Sequence, residues 1–108
     1  METIPDKWVI VGITNNGKNF YKVFGTWAGG YTDGDAWKLN SGVESITEDD
    51  DNYYFKGYSG STYKCNKNHY GVATSYSQSV LENLQRTASM NNVSFIIFDK
   101  DNWKEHLN

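Results

Sequence analysis

Cys65 is the single thiol of the chain and His69 one of its two imidazoles, and a thiol nucleophile needs a base within hydrogen-bond reach. Four residues apart, they would meet on a helix. The intervening Asn66-Lys67-Asn68 reads instead as a loop after a strand, with no carboxylate to orient the imidazole, so Cys65 is expected as a small buried hydrophobe. Gly57-Tyr58-Ser59-Gly60-Ser61 falls short of a hydrolase nucleophile turn, which needs glycine where Ser61 stands and a helix after it. Gly29-Gly30 and Asp33-Gly34-Asp35 offer two carboxylates to a cation, but a calcium loop needs more oxygen ligands and a terminal glutamate. The glycine pairs lack the lysine and hydroxyl residue, or the third glycine and helix, of a phosphate-binding motif. One cysteine and two histidines do not supply a zinc site. No enzyme activity, metal or cofactor is expected.

Contact chemistry is better represented. Eight tyrosines, nine serines, ten glycines and twelve asparagines make up 39 of the 108 residues, beside four tryptophans. Tyr and Trp give amphipathic contact area for few rotatable bonds, and Ser, Gly and Asn adapt their hydrogen bonding, as in binding loops. Seventeen aromatics exceed what one small core hides, so an exposed cluster is expected: Trp27, Tyr31 and Trp37 around the glycine-rich loop, with Tyr58, Tyr63 and Tyr70 from the second half. Asp33, Asp35, Asp49 and Asp50 would steer that surface toward a basic patch on a protein partner.

The composition also excludes. A net charge of −3 over one domain, with nine lysines and one arginine dispersed among 13 acids, is not that of a duplex-DNA binder, and no basic groove for single strands is apparent. No stretch has the length and apolarity of a membrane helix, and the first residues lack the basic and apolar regions of a signal peptide, so a cytoplasmic location is expected. One cysteine forms no internal disulfide.

The elements that would position these residues are those of a single α+β domain. Trp8–Thr14 and Phe20–Trp27 read as strands joined by Asn15-Asn16-Gly17, which tolerates positive φ. A third strand is expected over Trp37–Ile46 with a bulge at Gly42, a fourth over Tyr53–Tyr58 after the acidic turn Glu48–Asn52, and a short fifth over Thr62–Cys65. Together they predict an antiparallel meander. Tyr76, Val80, Leu84 and Ala88, with Leu81 beside them, mark an amphipathic helix over Ser75–Met90. A Ser75/Gln78 capping box, a Glu82–Arg86 pair and a stop at Asn91-Asn92 frame it. Val93–Phe98 reads as a central strand covered on both faces, and Asp99 or Asp101 caps a short helix ending near Leu107.

The runs Gly29–Gly42 and Tyr53–Tyr63 resemble small accessory proteins of tailed phages, over about a third of the chain. No functional residue carries over from that pattern. The resemblance implies a class alone: inhibitors of one host protein, including anti-CRISPR and other anti-defence proteins, working in the host cytoplasm. The leading expectation is therefore a non-enzymatic domain that blocks a protein partner. Its rivals are a pocket for a small ligand such as a nucleotide, between the sheet and the Ser75–Met90 helix, and a homo-oligomeric structural component, such as a homodimer.

Overall fold

The structure, a computed structural model, describes residues 2–29 and 36–107. These form β1 (Glu2–Thr3), β2 (Lys7–Asn15), β3 (Lys18–Trp27), β4 (Ala36–Leu39), β5 (Val43–Glu48), β6 (Asn52–Gly57), β7 (Thr62–Asn66), α1 (Ser75–Met90), β8 (Ser94–Ile97) and α2 (Trp103–Leu107). Asn16 and Gly17 both take positive φ, 52° and 78°, which matches the twist of the β2–β3 hairpin. The fold is α+β as the sequence predicts. The strands form two sheets, however, ordered β4-β3-β2-β8 and β1-β7-β6-β5, rather than one meander.

The division falls inside the segment expected as one strand over Trp37–Ile46. Asn40 N–H donates to Val23 O at 3.0 Å, while Asn40 Oδ1 accepts from Val23 N at 2.9 Å and from Gly42 N at 3.3 Å. The side-chain amide thus takes the place of the next backbone carbonyl of the ladder. Freed from pairing, the backbone turns through Gly42, at φ +125°, and enters the second sheet. The bulge lies one step later, between Val43 and Ser45.

The β4-β3-β2-β8 sheet is the middle layer. On one face Val9, Val11, Phe24 and Phe95 pack under Leu81 of α1. On the other face Trp8, Ile10 and Val23 meet Phe55, Tyr63 and Cys65 of the second sheet, closed at one end by Trp103 of α2. Trp8 is the centre of that core. Its ring lies 4.8 Å from Tyr70, 5.4 Å from Phe55, 5.5 Å from Trp103 and 5.9 Å from Tyr53, in tilted and edge contacts that suit aromatic quadrupoles.

Two further expectations shift. β8 is an edge strand, not a central one, and its period-two alternation buries Phe95 beneath α1 but leaves Ile96 half exposed. A continuous apolar run fits either position. The helix spans the residues expected, yet its N-cap is Thr74, whose Oγ1 accepts from Ser77 N at 3.1 Å, so the Ser75/Gln78 box is displaced by one residue. Arg86 donates to Asn83 rather than pairing with Glu82, and Tyr76 faces solvent.

Beyond β8, the ladder is completed by a side chain. Phe98 N donates to Ile10 O at 3.0 Å, but Ile10 N donates to the Tyr70 hydroxyl at 3.0 Å, and that hydroxyl donates to Phe98 O at 2.6 Å. Tyr70→Phe leaves one N–H and one carbonyl without partners. Urea unfolding should show a loss of about 1–3 kcal/mol, and an unchanged midpoint and slope would remove the bridge from the account.

Candidate functional site

Where β4 ends and β5 begins, the corner Asn40-Ser41-Gly42 meets the turn Gly57–Ser61 at the end of β6. Tyr58 N donates to Gly42 O at 3.1 Å, Ser59 N to Ser41 Oγ at 3.0 Å and Gly57 N to Ser61 O at 2.8 Å, while the Ser41 hydroxyl donates to Ser59 Oγ at 3.2 Å. A Cβ on Gly57 would stand 2.9 Å from Ser41 Oγ, so only glycine permits this approach. The Tyr58 ring lies over Gly42, where a Cβ would stand 3.0 Å from it, and remains 66% exposed. Between corner and turn opens a cleft of about 150 Å³, to which Thr3, Lys38, Asn40, Ser41, Ser59 and Ser61 contribute. Among the described residues, no imidazole or carboxylate lines it.

The aromatic residues selected from the sequence are not gathered into one surface among the described residues. Trp27 is half-buried with Nε1 donating to Ile4 O at 2.9 Å, and Trp37 is half-buried with its ring stacked on Phe24 at 5.6 Å. Tyr63 is 5% exposed, because β7 alternation turns it inward with Cys65, and burial raises its phenol pKa. Tyr70 is half-buried and occupied as the ladder bridge, its phenol pushed up to about 12 chiefly by burial. Tyr58 alone of the described set presents most of its ring to solvent. Tyr31, Asp33 and Asp35 lie outside the described residues. Ser59 and Ser61 enter the sequence reading only through a nucleophile motif that fails, and Asn40 and Ser41 carry no predicted role, although Asn-Ser-Gly interrupting a strand is itself a signal of a chain reversal.

Cys65 and His69 form no dyad. The thiol is fully buried in the core, and burial raises its pKa far from the thiolate range. His69 contributes its backbone carbonyl, which accepts from Trp8 N at 3.2 Å. Among the described residues no group of three or more His, Cys, Asp or Glu side chains is placed to hold a metal ion, and no helix is long and apolar enough to cross a membrane.

The acidic turn is largely engaged with its own surroundings. Glu48 bridges Lys67 at 2.6 Å and Lys104 at 2.9 Å, tying the β5–β6 hairpin to β7 and α2, and these hydrogen bonds, Lys104 first, hold its carboxyl below its usual range. Asp49 accepts from Tyr54 Oη at 2.7 Å, Asn52 N at 2.8 Å and Asp51 N at 3.0 Å. Asp50 and Asp51 are exposed. The turn and Tyr58 lie at opposite ends of six-residue β6, about 20 Å apart at strand rise and beyond the screening length of roughly 8 Å at physiological salt.

No family model, curated protein or solved structure matches the chain.

The Asp49 bonds, that from Tyr54 first, lower its carboxyl pKa. A carboxylate depressed in the folded state stabilises above its unfolded value of about 3.9, and that contribution fades as pH falls through the folded pKa. The stability difference between the native chain and Asp49→Asn should therefore be constant above about pH 5 and shrink below about pH 4. A difference that does not change with pH, measured by urea unfolding from pH 7 to 2.5, would contradict this.

Proposed function

We propose that this is a non-enzymatic binding protein that docks on one protein partner through the Asn40–Gly42 corner and the Gly57–Ser61 turn, with Tyr58 as the anchor. The observation that supports it is an aromatic ring 66% exposed on a turn whose backbone is fastened to the corner. Binding hot spots favour tyrosine, and a backbone fixed in advance loses little entropy on association. Asp50, about 20 Å away, contributes at most to the orientation in which a broad basic partner arrives. The resemblance to small tailed-phage accessory proteins takes the proposal one step on, to an inhibitor of a single host protein of the anti-CRISPR or other anti-defence class.

The test is affinity capture from bacterial lysate, followed by titration of the purified partner. The native chain should retain one stoichiometric protein, and Tyr58→Ala should weaken its binding about 30-fold or more, the scale of a hot-spot residue, with its unfolding midpoint unchanged. Equal binding by the variant, or no retained protein, would overturn the proposal.

A further inference from the structure

We propose that β8 is a dimerisation edge, on which a second copy of this chain pairs its own β8 antiparallel about a two-fold axis through Ile96, joining two four-stranded sheets into one. The edge lies across the sheet from the Asn40 corner, so the proposal stands whether or not Tyr58 anchors a protein.

The backbone of β8 is half used. Phe98 N donates to Ile10 O, and Ile97 and Ile96 lie opposite Val11 and Gly12, so alternation turns Ser94 and Ile96 toward β2 and Phe95 and Ile97 away from it. Among the described residues, the N–H groups of Phe95 and Ile97 and the carbonyl of Ile97 meet no protein partner. Phe95 O accepts from Gln85 Nε2 of α1 at 2.9 Å, and its second lone pair is left for another donor. Such a row is a template for a further strand, and proteins ordinarily block it with charge, proline, a bulge or brevity. The other sheet edges are blocked in these ways. β1 is two residues long, contains Glu2 and is followed by Pro5; β4 carries Lys38; β5 carries Glu44, Glu48 and a bulge. β8, Ser-Phe-Ile-Ile, has no charge, no proline and an unbroken register.

The open groups select a second copy. Two outward residues spaced two apart are self-complementary: Phe95 of each copy exchanges N–H···O bonds with Ile97 of the other, and Ile96 stands opposite Ile96 as the closer, non-hydrogen-bonded pair. That pairing covers a side chain left 50% exposed, and cross-strand contacts of this kind stabilise sheets. Charge agrees with it. The axis lays the two α1 helices antiparallel on one face of the joined sheet, nearest at Gln85, which already reaches over the edge. Glu82 and Arg86 flank Gln85, are exposed, and belong to no ion pair among the described residues. In the antiparallel arrangement Glu82 of each copy lies level, to within about a turn, with Arg86 of the other.

The test is sedimentation velocity of the full chain from micromolar to millimolar concentration, with disulfide trapping under air oxidation to read the register. The native chain should pass from monomer to dimer. Ile96→Lys sets like charges opposite one another and should raise the dissociation constant about tenfold or more, with its unfolding midpoint unchanged. Ile96→Cys should trap a covalent dimer, since the paired Cα atoms lie about 4.5 Å apart, within disulfide range. Ser94→Cys should not, because its counterpart stands about 13 Å away along the strands. Cys65 is buried and does not take part. A chain monomeric at every concentration, which would leave the edge to a strand of another protein, a dimer that Ile96→Lys leaves intact, or equal trapping at positions 94 and 96 would overturn the proposal.

Discussion

The side-chain amide of Asn40 decides where one sheet stops and the other begins. At the level of the paired residues Ile10 and Val23, the outward-facing backbone groups of β2 and β3 need partners on both sides. On the β3 side Asn40 N–H meets Val23 O and Asn40 Oδ1 meets Val23 N. On the β2 side Phe98 N–H meets Ile10 O, and the Tyr70 hydroxyl meets Ile10 N. One polar side chain on each flank completes a ladder that the flanking backbone leaves half made. The backbone N–H and C=O groups of Ile10 and Val23 are thus all paired, and on the β3 side the chain is free to cross to the second sheet.

The crossing explains how a small domain acquires three layers. Trp8 and its aromatic neighbours fill the space between the sheets, and α1 covers the opposite face through Leu81. These contacts carry the hydrophobic stabilisation, with each large buried side chain worth about 1.5–3 kcal/mol. They do not by themselves specify where the strands divide. That is set by directional bonds at Asn40 and Gly42, and the same bonds bring Ser41 against Ser59 and hold Tyr58 over the corner. Cleft and exposed ring are thus by-products of ending a strand with an amide.

Much of this architecture is legible locally. Asn16-Gly17 announces its hairpin, the 3.6-residue stripe around Leu81 its helix, and the aromatic run after Asn52 its strand. The division at Asn40 is not, because an amide that replaces a backbone carbonyl looks like any turn asparagine until its partner Val23, seventeen residues earlier, is in place. Thr74 and Ser75 are both competent caps, and tertiary context chose the first. The candidate surface was harder still. Exposure of an aromatic depends on the face its strand turns inward, and in five-residue β7 alternation does not say whether Tyr63 or Lys64 faces the core. Among the described residues, Tyr58, placed just beyond a strand end and over a glycine, is the chosen aromatic that the fold leaves free. The serines around it were visible only as turn vocabulary.

Amide hydrogen exchange at Val23, compared among the native chain, Asn40→Ala and Asn40→Asp, bears most directly on this dependence. The account predicts strong protection of the Val23 amide in the native chain, retention in Asn40→Asp, which keeps an acceptor oxygen, and selective loss in Asn40→Ala together with the Gly42 amide. Undiminished protection of Val23 in Asn40→Ala would show that the corner is held by something other than the Asn40 side chain.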